Sequence, residues 1–313
     1  PDFETCLLDI RGRGWRVGHI NPRISVRLYT GAPPAYTMTE TLRAATFLDK
    51  GGTGKTTTVA HLGVALSEQG NDVLLVDLAG KQADLAKNFG VWEEYSERID
   101  EENDWPNIST VFREQWGRIA QKLGDEAVES MVFETGEGPD LIPAHPGLDG
   151  LDAELNEIED TERRYSRLDD FLDEYIEPLG YDVVFLDLPG STNNVSYNGL
   201  WAARNVVVPV EAGPFEARQA GRLRDDLSRI SSSFDVDLSL AMLILNKTDS
   251  RNRLSEEFTE EYEKEYPDAV APAQVPRSQA IRNAANEGKT LFASDTSSKT
   301  AERAREAFMN NAE

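Results

Sequence analysis

Along the chain, short and nearly continuous apolar runs alternate with longer stretches of mixed polarity. The runs are AATFLD at 44–49, DVLLVDL at 72–78, YDVVFLDLPG at 181–190, NVVVPV at 205–210 and DLSLAMLILNK at 237–247. A strand covered on both faces needs apolar side chains at successive positions, so these runs predict buried parallel strands. MVFET at 131–135 and PDLIPA at 139–144 predict two shorter strands. DAVAPAQVPRS at 268–278 predicts a strand running into a proline-containing loop. Helices are predicted from Thr56 to about Gln69, closed by Gly70, and over Pro214–Arg229, 254–265 and Lys299–Asn310. Residues 79–130 read as mostly helical, with an acidic patch at 93–104. Trp92, Trp105 and Trp116 in that stretch are expected to pack locally, an exposed partner surface being the alternative. His145–Gly150 reads as a turn, and 151–178 as a charged helix or two with a solvated face. Strands alternating with helices predict an α/β fold: one doubly wound, mostly parallel sheet with helices on both faces.

Composition narrows the function classes. The chain has 313 residues, long enough for one large α/β domain, and a single cysteine, Cys6. One cysteine excludes a disulfide framework and an intrachain cysteine cluster for iron–sulfur or zinc. No run of 18 apolar residues is present, and no signal peptide is evident, so a cytoplasmic protein is expected. Acidic residues number 56 against 32 basic ones, a formal net charge of -24. Such an excess repels itself and nucleic acid. Molar salt screens it, the Debye length falling to about 3 Å at 1 M. A halophilic archaeon with a salty cytoplasm is therefore the expected source, a plainly acidic protein the alternative.

Residues 1–37 differ from the rest. Arg11, Arg13, Arg16, Arg23 and Arg27 outnumber Asp2, Glu4 and Asp9, and glycine and proline are frequent. Met38 then opens a natural start. The expected organisation is an extension at 1–37, from a misplaced start or a disordered tail, and one domain at 38–313. A basic arm touching DNA is the alternative.

The chemistry concentrates at LDKGGTGKTTT, 48–58. Gly51, Gly52, Thr53, Gly54, Lys55, Thr56 and Thr57 stand between a predicted strand and a predicted helix. Glycines allow consecutive N–H groups to point inward, and the helix N-terminus adds positive field. Lys55 is expected to reach the β and γ phosphates and the Thr56 hydroxyl to bind Mg²⁺. Asp187 ends a buried strand, where it would hold the metal through water or orient the γ-phosphate side. Asp77 is placed similarly on the preceding strand. Either could instead be a strand-ending turn residue. Gly190 could offer its N–H to the γ-phosphate.

The loop holds a second lysine, Lys50. The string Lys50-Gly51-Gly52-Thr53-Gly54-Lys55-Thr56-Thr57 resembles the deviant Walker A motif of the ParA/MinD family of P-loop ATPases. NDVLLVDLAGKQADL at 71–85, YDVVFLDLPGS at 181–191, VVVPVEAGPFEARQAGRL at 206–223, LNKTDSRNRLSEEF at 245–258 and VPRSQAIRNAANEGKTLF at 275–292 resemble its later segments in order. The similarity leans to ParA/Soj-like partition ATPases rather than MinD. It implies a P-loop NTPase fold of the deviant Walker A, SIMIBI type, with ATP and Mg²⁺ as cofactors. It further implies that Lys50 reaches the ATP of a facing subunit in a nucleotide-bound homodimer; local pairing of Lys50, with Asp49 for instance, stays open. Asn246 would contact the adenine edge, and Pro276 and Arg277 would pack around the base. Asn246-Lys247-x-Asp249 also looks like a guanine-selective motif, which the deviant loop outweighs.

The resemblance implies an ATP-dependent switch for chromosome or plasmid partition or cargo positioning, acting with a centromere-binding or cargo adaptor protein at the nucleoid. Non-specific DNA contact would fall to Arg218, Arg222, Arg251, Arg253 and Arg282, with Arg224 pointing elsewhere. Solvated arginines account for these equally well, and the net charge opposes DNA. The segment 300–313 lacks the basic, bulky anchor of a membrane-targeting helix, so no membrane partner is expected. One departure matters. The family's Asp-x-Asp-Pro is here Asp77-Leu78-Ala79-Gly80, and a methyl group can neither orient water nor take its proton. Either hydrolysis is slow and uses another carboxylate, such as Asp84, or the protein is a largely non-hydrolysing ATP-binding adaptor working through a protein partner.

Overall fold

In the computed structural model, residues 41–80, 83–100, 106–211, 224–233, 236–249 and 253–313 are described. Residues 40–313 make one contact unit; the expected extension at 1–37 lies outside the described residues. Seven strands form one sheet: β1 Leu42–Thr46, β2 Val73–Asp77, β3 Phe133–Glu134, β4 Asp140–Ile142, β5 Val183–Asp187, β6 Asn205–Glu211 and β7 Ser239–Asn246. Their order is β3-β4-β2-β5-β1-β6-β7. All neighbours are parallel except the short β3, antiparallel at the edge. The continuous apolar runs are the reason: β2 and β5 are buried at every position. From β1 the chain steps to β2 on one side, whereas β5 crosses to β6 on the other. This order reverses at β1, and ligands of open α/β sheets bind at such a point, outside the carboxyl ends of the strands.

Helix α1, Lys55–Glu68, packs on the sheet through Val59, Ala60, Leu62, Val64 and Ala65. A Cβ at Gly63 would lie 2.8 Å from Leu75, so this glycine lets helix and strand approach closely. The remaining helices used below are α2 Asp84–Asn88, α3 Trp92–Asp100, α4 Trp116–Leu123, α5 Asn194–Ala203, α6 Arg253–Glu265, α7 Gln279–Asn286 and α8 Lys299–Asn311.

Several expectations shift. β1 ends at Thr46, three residues early, because 47–50 already turn into the loop. The strand predicted at 268–278 is only two isolated bridges beside β7, Val270 with Leu243 and Pro276 with Thr248; Pro272 and Pro276 supply no N–H to a ladder. The charged face expected over 151–178 is solvated, with Glu154, Glu157, Glu159, Glu162, Asp173 and Glu174 exposed, but the segment is several short pieces and not a helix or two. Short helical turns there bury Leu151, Leu155, Tyr165, Leu168, Phe171, Leu172 and Ile176. Trp116 packs as expected, edge-on to Phe171 and Tyr175 at 5.3 Å. Of the helix predicted at 214–229 the structure describes 224 onward, and it continues to 233.

Candidate nucleotide site

Two glycines shape the loop between β1 and α1. Gly52 and Gly54 hold φ of 77° and 99°, left-handed values that side-chain-bearing residues rarely adopt. A Cβ on Gly54, the residue capping α1, would stand 2.4 Å from the Asn246 amide nitrogen. The first-turn N–H groups of α1 lack intrahelical acceptors and so are available to an anion.

Side chains hold the loop's carbonyls. Lys55 Nζ donates to Leu48 O at 3.1 Å and Lys50 O at 2.8 Å. Asn246 Nδ2 donates to Thr53 O at 2.9 Å. Lys247 Nζ donates to Gly52 O and, at 2.8 Å, to Glu211 Oε1. Arg277 lies 3.5 Å from the other Glu211 oxygen. A loop with its carbonyls tied this way keeps its N–H groups for phosphate. Lys55 is buried, which lowers its pKa, while Asp187 and Asp49 pull the other way.

Beneath the loop, register places Thr46, Asp187 and Asp77 side by side across β1, β5 and β2. Thr46 Oγ1 donates to Asp187 Oδ1 at 3.1 Å. Burial raises the Asp187 pKa to about 6 against the Thr56 and Thr46 hydroxyls and Lys55. Burial, and then the neighbouring Asp187 charge, push the Asp77 pKa up as well. Asp77 accepts from Ala79 N at 2.9 Å and Leu85 N at 3.4 Å, one oxygen each. Asp187 Oδ2 differs: it is buried with no hydrogen-bond partner among the described residues. A bare carboxylate oxygen beside the Thr56 hydroxyl fits a hard divalent cation such as Mg²⁺.

A cleft of about 1040 Å³ opens above these groups. It brings together Gly51, Gly52, Gly54, Lys55, Thr56 and Thr57 of the loop with Gly190, Asn246, Pro276 and Arg277. Gly190 packs on the loop, its missing Cβ 3.1 Å from Lys55 Nζ and 3.3 Å from Lys50 O. The cleft is not lined by Lys50, Thr53, Asp77 or Asp187; Thr53 and the two aspartates are buried. Ala79 does line it. Arg282, expected on a DNA-facing surface, also lines this cleft. Arg224 stacks over Tyr266, 4.4 Å from the ring centre. Arg218, Arg222, Arg251 and the Arg253 side chain lie outside the described residues. Sequence reasoning missed Glu211 and the loop-holding role of Lys247; the Asn-Lys pair was the available signal. It also missed Asp149 and Asp152 in the cleft wall, for which no local pattern exists.

A family model described as an AAA domain matches residues 44–240, more than half of the chain. The chromosome partitioning protein ParA of Caulobacter vibrioides is 30% identical over 246 residues, covering 79% of this chain and 84% of ParA. The sporulation initiation inhibitor protein Soj of Bacillus subtilis is 28% identical over 255 residues, 81% of this chain and 91% of Soj. Cobyrinic acid a,c-diamide synthase from Mycobacterium smegmatis, solved with a bound ATP analog and magnesium, superposes with a TM-score of 0.60 at 28% identity, covering 85% of this chain and 92% of that one. With its two-lysine loop, strand-end aspartates and switch-point cleft, the chain belongs to the ParA/Soj/MinD-like family of deviant Walker A P-loop ATPases.

Proposed function

We propose that the cleft binds ATP with Mg²⁺ and that the protein is an ATP-gated dimerising switch for partition of a chromosome or plasmid, or for positioning a cargo. The loop carries this reading. Lys55 is buried and committed to its own subunit's carbonyls, while Lys50 is only partly buried at the same loop. A second cation there suits the phosphates of a facing subunit, in a water-excluding interface where one charge counts for more than in bulk. The ADP- and ATP-analog-bound relatives support nucleotide and Mg²⁺. Thr56 and Asp187 would hold the metal, Gly51–Thr57 and Gly190 the phosphates, and Asn246, Pro276 and Arg277 the base side. Hydrolysis to ADP and phosphate would remove the charge that Lys50 meets and release the dimer.

One observation favours the adaptor reading. Ala79 offers no carboxylate, and both Asp77 oxygens are spent on backbone N–H groups. A net charge of -24 favours a protein partner over DNA as the output and a protein adapted to high salt. No helix among the described residues is long and apolar enough to cross a membrane; a cytoplasmic, nucleoid-associated place of action follows from the partition reading. Titration calorimetry with ATP and Mg²⁺ in molar KCl tests nucleotide binding, which Lys55→Gln should abolish. Gel shifts with ATP test DNA. An ATP dimer that shifts DNA supports a partition ATPase, one that ignores DNA the adaptor, and absence of nucleotide binding refutes both.

A further inference from the structure

Ala79 lines the cleft where the family's motif would carry a carboxylate. We propose that Asp84 supplies it, orienting the water that attacks the γ-phosphate of bound ATP and relaying its proton. This rests on the ATP reading of the cleft.

Asp84 lines the same cleft as Thr56 and Gly190. Asp77 sets its position. By accepting from Ala79 N and Leu85 N, Asp77 ties both of these residues to the end of β2. The chain enters α2 through Ala83 at φ 45°, ψ 47°, a left-handed conformation that non-glycine residues rarely adopt. Ala83 is buried. Strain of this kind gathers at functional positions, and the residue it delivers is Asp84.

The other carboxylates of that wall are placed differently. Asp152 is committed to α5, accepting from Asn194 N at 2.8 Å and Nδ2 at 2.9 Å. The Asp149 carboxylate rests against Gly80, an oxygen 3.1 Å from where a Cβ would be. Among the described residues Asp84 pairs with Lys87, at 3.7 Å and with both side chains about half exposed. Such a pair contributes little and leaves the carboxylate available. In the step, the water oxygen bonds to the γ-phosphorus as the bond to the β,γ-bridging oxygen breaks. That electron pair leaves on ADP, and the water proton passes through Asp84 to the phosphate released.

The test is single-turnover ATP hydrolysis in molar KCl, with ATP affinity measured calorimetrically on the same samples. The variants are Asp84→Asn, Asp84→Glu, and Asp84→Asn combined with Ala79→Asp. Asp84→Asn should bind ATP as wild type does yet hydrolyse it about 100-fold more slowly. Asp84→Glu should keep part of the rate, and Ala79→Asp should restore turnover to Asp84→Asn. A wild-type rate in Asp84→Asn, or a rate loss that merely follows lost affinity, overturns the proposal. So does a wild type that binds ATP and never hydrolyses it, although the switch reading survives that result. Failure of the wild type to bind ATP overturns both.

Discussion

Acid should destabilise this domain through His61, the only titratable ring on α1. His61 is 4% exposed. Its Nδ1 lies 2.8 Å from Thr57 O, and its Nε2 accepts the Leu291 N–H at 3.1 Å. An accepting Nε2 requires the neutral ring with its proton on Nδ1. The ring stacks on Phe308, centroids 4.8 Å apart, so it joins the phosphate-loop helix to the C-terminal segment. A second proton would oppose the Leu291 N–H and bury a charge. Burial accordingly holds the pKa at about 4, against an ordinary 6.5. Because the folded value is the lower one, the unfolded chain takes up the proton first. Stability is full above about pH 6.5 and declines as pH falls to about 4. At about 1.36 kcal/mol per unit, that gap amounts to about 3 kcal/mol. Asp77 and Asp187, with raised values, titrate with the opposite sign, so the comparison must be against His61→Phe, which keeps an aromatic ring and cannot titrate. Urea unfolding followed by circular dichroism at fixed molar KCl measures both proteins across this range. The stability difference should be constant near neutrality and move by about 3 kcal/mol in the variant's favour by about pH 4. A difference flat across the range would refute the reasoning.

Three further outcomes follow from the loop. Gly54→Ala meets both a φ of 99° and an amide 2.4 Å away; it should lower stability by about 1–2 kcal/mol, read by thermal unfolding, and abolish nucleotide binding, read by calorimetry. Lys247→Ala and Glu211→Ala remove parts of one clamp. Each should weaken nucleotide binding by about 1 kcal/mol, and the double variant by little more than either, because the pair acts as a unit. Asp187→Asn removes the bare carboxylate oxygen; ATP affinity should lose its dependence on added Mg²⁺, whereas chelation should weaken the wild type sharply.

Much of this was legible in the sequence for physical reasons. Strands buried on both faces need unbroken apolar runs, which is why β2 and β6 match within a residue of expectation. Gly52 and Gly54 announce the anion loop because their backbone angles exclude other residues. Helices α5 and α7 gave no comparable signal. NVSYNGLWAA, the whole of α5, carries two asparagines, a serine and a glycine, weak helix formers that only the Asn193 cap and burial against the sheet overcome. The strand expected at 268–278 failed on its prolines. The strand-end aspartates were found, but not their division of labour. Asp77 is a backbone clamp on Ala79 and Leu85 and Asp187 keeps an oxygen bare, a distinction that the residue type does not carry. Lys247 reaches Gly52 across 195 positions, beyond any local pattern.

The central claim is that Lys50 couples ATP to dimerisation. Light scattering after size exclusion, in molar KCl with Mg²⁺, measures it on wild type and Lys50→Ala, with ATP, with ADP and without nucleotide. The expected result is a wild-type dimer with ATP alone, and a Lys50→Ala protein that binds ATP in the cleft yet stays monomeric. A wild type that remains monomeric with ATP bound, or a Lys50→Ala protein that dimerises as readily, would contradict it.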